Sequence, residues 1–285
     1  MKNDAVKAQI CNFAKMLKIP TFSSYDDVLN RAGQDGTFSE LLLELMKREY
    51  EQRQENQNSR RLKQAGFPYA KTLEELDLSQ YGGGLTDLFV RELASCQYIK
   101  DRKNVVMFGN PGRGKTHMAI GLGLKACGAG MKVLFKNAAK LSTELTEAQD
   151  NYALGRLENR LRRADLLILD EMGYVSFDRH KSELLFRVVA DRSERGSIVV
   201  TTNLPFSEWV GMFDNTPLVT ALIDRLTYRS YLLDMNGQSY RLKKSRQMQG
   251  ELKGKHLSAA NGDPATGNRM AASQAERVRK REEML

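Results

Sequence analysis

The sequence predicts an α/β fold, a parallel sheet flanked by helices, preceded by a small all-helical region. Three observations lead there. Four apolar runs, VVMF, KVLF, LLIL and SIVVTT, are each four to six residues long and rich in Val, Ile or Leu, as strands covered on both faces should be. Helical patterns separate them, the order expected of a parallel sheet. A glycine-rich turn, GNPGRGKTH, links the first run to the helical AIGLGLKA.

The elements follow in order. Within residues 1–66 a first helix ends before Pro20, and Ser23 and Ser24 can cap a short second one. Thr37-Phe-Ser-Glu40 has capping-box spacing and opens a long third helix, apolar in its first half and polar in its second, that closes at Gly66. This helix is expected to start in a small core and leave it as a solvated or nucleic-acid-facing rod. Residues 67–84, with Pro68 and Gly82 to Gly84, read as a linker. The α/β domain is expected over 85–245. After Arg241 the composition turns to Gln, Gly, Lys, Ala and Asn, so 246–285 reads as a polar tail, disordered to about residue 270. AASQAERVRKREEML can form a terminal helix.

Composition narrows the function. The 285 residues carry 44 Lys and Arg against 35 Asp and Glu, a net charge of +9. That excess favours a polyanionic partner through counterion release, although a solvated basic surface accounts for it equally. No apolar run reaches the roughly 18 residues of a membrane span, and the N-terminus lacks a signal-peptide core, so no membrane partner and a cytoplasmic location are expected. Cys11, Cys96 and Cys127 lie far apart and no Cys/His cluster has zinc spacing. They read as reduced core thiols.

Gly109, Gly114, Lys115 and Thr116 fit G-x-x-x-x-G-K-[ST] in full, between a strand and a helix. The whole loop, Gly109, Asn110, Pro111, Gly112, Arg113, Gly114, Lys115, Thr116 and His117, is the candidate phosphate cradle. Its backbone N–H groups can turn inward, Lys115 can neutralise charge, and the Thr116 hydroxyl can ligate magnesium. In LLILDE, Asp170 ends a buried strand and offers a second magnesium partner. Glu171 can polarise a water for attack on a γ-phosphate; a helix-capping Asp-Glu pair is the plainer alternative. Asn203 ends SIVVTTNL, where an amide can orient that water, although Asn before Leu-Pro is also ordinary turn chemistry. Arg225 can serve a neighbouring subunit's ATP and Arg241 its own, with surface salt bridges as the alternative for each.

With these features in this order, the chain resembles the AAA+ ATPases, specifically the clade of DnaC-like helicase loaders and IstB-like transposition helpers. FPYAKTLEELDLS, GNPGRGKTHMAIGLG, RADLLILDEMGYVSFDRHKSELLF, TTNLPFSEW and IDRLTYRSYLLDMNGQSYRLKKS look like signature segments of the IstB class, over about residues 40–244. Phe67, Pro68, the Gly-Tyr after Asp-Glu and the run ending at Trp209 are more specific than the nucleotide motifs. The resemblance implies an AAA+ P-loop fold, ATP and Mg2+ binding, ATP-dependent self-assembly on duplex DNA, DNA remodelling, and delivery of a target to a cognate transposase. It implies Walker A at Lys115 and Thr116, Walker B at Asp170 and Glu171, sensor I at Asn203, an arginine finger at Arg225 and sensor II at Arg241. Two positions depart from it: Arg113 stands where Thr is more common, and Thr202 where Ser is.

In this clade an additional helix between the second strand and Walker B tends to face nucleic acid. Here that region, with the lysine before it, carries Lys136, Lys140, Arg156, Arg160, Arg162 and Arg163. Arg156, Arg160 and Arg163 recur at helical spacing and can track a phosphate backbone, but a solvated helix face explains them too. Arg60, Arg61 and Lys63 form a second cluster, in what reads as a DNA-binding or assembly domain. The leading reading is an ATPase that oligomerises on duplex DNA to assist a transposase; a helicase loader acting with single-stranded DNA is the alternative.

Overall fold

The computed structural model describes residues 2–32, 38–78, 85–174, 176–213 and 216–236. Three helices open the chain: α1 (Lys2–Met16), α2 (Tyr25–Ala32) after a 3-10 turn at Pro20–Ser24, and α3 (Phe38–Ala65). Their contact is small, with Ala14, Val28 and Leu45 buried. Its polar centre is Glu49, which accepts from the Thr21 hydroxyl at 2.7 Å and from Arg53 Nε at 2.7 Å. Burial raises the Glu49 pKa, but these hydrogen bonds and the Arg53 charge outweigh it and hold the carboxyl below its usual range. Thr37, proposed to open the capping box, lies outside the described residues. Contrary to the expected rod, the last turns of α3 carry Leu62 and Ala65 onto the main core.

The stretch read as a linker is docked over its first twelve residues. Phe67 packs on Phe135 with ring centroids 6.0 Å apart, and Leu73, in a 3-10 turn at Leu73–Glu75, is buried. Both lie on the helix that follows the glycine-rich turn. A Cβ at Gly121 would come within 2.6 Å of Leu73, and one at Gly123 within 2.7 Å of Phe67. Small residues at these two positions let the strap approach. Lys125 pairs with Glu74 at 2.6 Å and pushes that carboxyl down to about 2, and His117 Nε2 lies 2.6 Å from the Thr72 carbonyl.

Helices α4 (Asp87–Ala94) and α5 (Gln97–Lys100) lead into the α/β layers. These run β1 (Asn104–Phe108), α6 (Lys115–Gly128), β2 (Val133–Asn137), α7 (Ala138–Asp150), α8 (Leu154–Arg162), β3 (Leu166–Met172), α9 (Arg179–Arg192), β4 (Ser197–Thr202), α10 (Trp209–Met212), α11 (Thr216–Thr227) and β5 (Ser230–Asp234). The sheet order is β2-β3-β4-β1-β5 and every pairing is parallel. Successive residues face opposite layers, as the two-residue period of a strand requires. Val106, Leu167, Leu169, Ile198 and Val200 join a core with α7, α9 and α11; Val105, Met107, Leu166, Ile168 and Val199 join one with α4, α6 and the strap. The four predicted strands are therefore present. A fifth, β5, was not read from SYLLD: it lies at the sheet edge and only Leu233 in it is buried, so it lacks a continuous apolar run.

Cys96 and Cys127 are buried, and burial pushes the Cys127 thiol up to about 11; Cys11 is only half-buried. A deeper polar group is Arg192, 1% exposed. Its Nη1 donates to the carbonyls of Leu161 and Ala164 at 2.6 and 2.9 Å, and its Nη2 to those of Asp165 and Ser197 at 3.3 and 2.9 Å. Burial lowers its pKa to about 10, which leaves it charged at neutral pH. One side chain thus ties the end of α8 and the starts of β3 and β4 together. Arg192→Leu removes these four buried hydrogen bonds and is expected to cost about 3 kcal/mol of unfolding free energy, read by urea denaturation; a midpoint unchanged from the parent would refute the tie.

Candidate functional site

The site is assembled at the carboxyl ends of the strands, where open α/β sheets bind ligands. The loop after β1 turns tightly. Gly109, Gly112 and Gly114 all have positive φ, and at Gly109, with φ 146°, a Cβ would meet Met235 backbone atoms at 2.7 and 2.8 Å. No other residue fits there. Lys115 is 8% exposed and its ammonium donates to the Gly109 and Asn110 carbonyls at 2.6 and 2.9 Å. The loop thus holds its lysine over the concave side, at the N-terminus of α6, where backbone N–H groups favour an anion.

Arg113, where the resemblance expects a smaller residue, is 2% exposed. Its Nε donates to the Met235 carbonyl at 3.1 Å and its Nη2 to that of Asn236 at 3.3 Å. The Asn110 N–H donates to Asn236 Oδ1 at 3.1 Å. The turn is therefore anchored to the segment just after β5.

Asp170, 5% exposed, ends the unbroken buried run of β3 from Leu166. Its Oδ1 accepts from the Thr116 hydroxyl at 2.9 Å and from the Thr201 hydroxyl at 2.6 Å. Two neutral donors leave the carboxylate's charge uncompensated in a desolvated place, which suits a bound cation. Among the described residues no cluster of three or more His, Cys, Asp or Glu can hold a metal. A cation here would take Thr116 and Asp170 and complete its shell with waters and phosphate oxygens, a pattern typical of magnesium.

Glu171 has φ 60°, a left-handed backbone where the β3–β4 register shifts between Leu169 and Met172. Its N–H donates to Thr201 Oγ1 at 2.9 Å, and its exposed carboxylate accepts from Asn137 Nδ2 at 2.7 Å. Strain of this kind costs of order 1–3 kcal/mol and persists only where neighbours over-determine it. Among the described residues, Asn203 Oδ1 is buried without a partner, beside Gly173. The run after it is fixed by Trp209, fully buried against Phe206 and Phe213, with its indole N–H on the Leu204 carbonyl at 3.4 Å.

The remaining candidates fall elsewhere. Arg225 lies on α11 with its guanidinium over the Phe186 ring, 4.9 Å from the centroid, and Nη1 on the Ala221 carbonyl; among the described residues it makes no hydrogen bond to the loop. Arg241 lies outside the described residues. Helix α8 buries Leu157 and Leu161 and turns Glu158 to Arg187, at 2.9 Å, leaving Arg156, Arg160 and Arg163 exposed. Lys136 is paired with Glu144, while Lys140, Arg60 and Lys63 are exposed and Arg61 is half-buried beside Gly130. Sequence reasoning missed Asn137 and Thr201. Asn137 carried one usable signal, its place as the N-cap of α7, where its Oδ1 accepts from the Lys140 N–H at 3.2 Å.

A parallel sheet with a glycine-rich loop at its carboxyl edge and a buried Asp beside it defines a P-loop nucleotide-binding fold. The model of the family described as IstB-like ATP binding protein matches residues 13–248, and the chain belongs to that family. It is 39% identical over 216 residues to an ATP-binding protein of insertion sequence IS21 from Pseudomonas aeruginosa, covering 76% of this chain and 81% of that one. It is 34% identical over 213 residues to the corresponding protein of insertion sequence IS5376 from Geobacillus stearothermophilus, covering 74% and 83%. AMPPCP-bound DnaA from Aquifex aeolicus shares the fold, with a TM-score of 0.52, 20% identity, and coverage of 65% of this chain and 56% of that one. No helix among the described residues is long and apolar enough to cross a membrane.

Replacing Arg113 with Ala removes the donors that hold the loop to Met235 and Asn236. A loss of about 1–3 kcal/mol in unfolding free energy is expected, measured by chemical denaturation without nucleotide; equal stability would show that the anchor contributes nothing.

Proposed function

We propose that the chain is an ATPase that binds ATP and magnesium, assembles on duplex DNA and assists the transposase of an insertion sequence. The observation that carries this reading is the convergence of Lys115, Thr116, Asp170, Glu171 and Asn203 on one edge of the sheet. Family membership, and relatives that belong to insertion sequences, support its context. Bound magnesium would neutralise phosphate charge between Thr116 and Asp170.

The side chains then divide the work. Lys115 turns from the Gly109 and Asn110 carbonyls to phosphate oxygens, whose charge it neutralises. Glu171 accepts a proton from the attacking water on its Oε1 while Asn137 holds its Oε2. Asn203 turns its unsatisfied amide toward the same water. Arg225, displaced from Phe186, reaches the ATP of a neighbouring subunit, which makes turnover depend on assembly. Arg156, Arg160 and Arg163 of α8, with Arg60, Arg61, Lys63 and Lys140, offer phosphate contacts without a base-reading register, so binding is salt-sensitive and weakly sequence-selective. Hydrolysis times release of the assembly.

The test is sedimentation of the protein with a short duplex, or with single-stranded DNA of equal length, in ATP, in ADP and without nucleotide. Large complexes are expected only with ATP and duplex, and Lys115→Ala should form none. Glu171→Gln is expected to keep ATP binding, to lower turnover about 10²- to 10⁴-fold, the worth of a positioned base, and to hold the complexes together. Assembly preferring single strands would transfer the reading to helicase loading, and normal turnover in Glu171→Gln would remove that residue from catalysis.

A further inference from the structure

Because all five strands are parallel, their amino ends share the edge of the sheet opposite the nucleotide loop. What precedes each strand is basic. In sheet order these residues are Lys132 before β2, Arg163 before β3, Arg195 before β4, Arg102 and Lys103 before β1, and Arg229 before β5. All are exposed except Lys103, which is half-buried. Three acidic residues lie in the same loops. Asp101 is 3.8 Å from Lys103, Asp165 accepts from the Lys132 N–H at 2.7 Å, and Glu194 offers its carbonyl to Arg102 Nη1 at 2.8 Å. Among the described residues, Lys132, Arg163, Arg195 and Arg229 form no ion pair.

Basic residues at helix C-termini offset the helix dipole, and helix ends do gather at this edge. That does not account for the row. Lys132, Arg195, Arg102, Lys103 and Arg229 lie in the loops beyond the last helical turns. Two of them also stand where the backbone disfavours a side chain. Arg102 has φ 56° and Arg229 φ 50°. Arg102 closes α5 with its N–H on the Ile99 carbonyl and the Lys103 N–H on that of Tyr98, the end motif at which glycine is the usual residue. An arginine there carries a steric strain that glycine would not.

We propose that this amino edge is a second DNA-contacting surface, a phosphate-binding rim separate from the nucleotide site; the proposal rests on the reading that the chain binds duplex DNA. Four inter-strand spacings of about 4.8 Å extend the rim across about 19 Å. Duplex DNA presents about eleven phosphates over that length. The rim is continuous with both basic clusters already described, through Arg163 at the end of α8 and through Arg61, whose guanidinium lies beside Gly130 ahead of β2. It stands about 17 Å from the loop, the length of a five-residue strand, so DNA and ATP can be held together.

The full-length triple variant Arg102→Gly, Arg195→Gln, Arg229→Gly tests it, with duplex affinity measured against salt in the presence of ATP. Loss of three phosphate contacts is expected to lower affinity and to reduce the slope of log K against log salt by about 2–3. ATP affinity and the thermal midpoint should not fall, since relief of both left-handed positions offsets the lost Arg102–Glu194 hydrogen bond. The matching triple lysine variant keeps the charges and should bind as the parent does. A parent that binds no duplex would sink the functional reading and the rim with it. A parent that binds, with a triple glycine–glutamine variant of unchanged slope, would overturn the rim alone; so would a lysine variant that binds as weakly as the uncharged one.

Discussion

The parallel direction of the five strands is the constraint on which the rest depends. It follows from short central strands, apolar and covered on both faces, that must be joined by helices, and it gives the sheet two chemically different edges. At the carboxyl edge the chain leaves each strand into a loop that ends in a helix N-terminus or a polar side chain, and Lys115, Asp170, Glu171 and Asn203 meet there. At the amino edge it arrives from helix ends and irregular turns. The molecule therefore has a nucleotide pole and an opposite pole, without any further element to separate them.

Within the nucleotide pole, order comes from hydroxyls and backbone rather than from ion pairs. Asp170 is held by Thr116 and Thr201, and Glu171 by its own N–H and by Asn137. Such contacts are modest singly, about 1 kcal/mol net each, and can be exchanged for phosphate and water without breaking a buried salt bridge. The rigid part is behind them: Trp209 fixes the loop after β4, and Arg113 fixes the glycine-rich turn to the end of β5. Phe67 and Leu73 add a third restraint by laying the N-terminal strap along α6, the helix whose first turn bears Lys115 and Thr116.

What the sequence made legible was local. The G-x-x-x-x-G-K-[ST] spacing located the loop, and apolar runs located four strands, because both signals sit within a few adjacent residues. The edge strand β5 escapes because half-buried Ser230 and Tyr231 and exposed Asp234 interrupt its pattern. The role of Arg113, a departure from the family's usual residue, is not legible locally because its partners, Met235 and Asn236, lie more than a hundred residues away. Asn137 and Thr201 became part of the site only when β2, β3 and β4 were laid side by side. The amino-edge basic residues are scattered singly through five loops, and no linear window contains them; only the strand order puts them in a row. The last turns of α3 show the converse failure, since a polar composition hid the two apolar positions, Leu62 and Ala65, that dock it.

Hydrogen exchange of the protein with and without ATP and magnesium tests the two-pole account most directly. Slowed exchange is expected in residues 109–116 and at Glu171 and Asn203, with the loops before the five strands unchanged. Protection concentrated at those amino-edge loops, or none at 109–116, would contradict it.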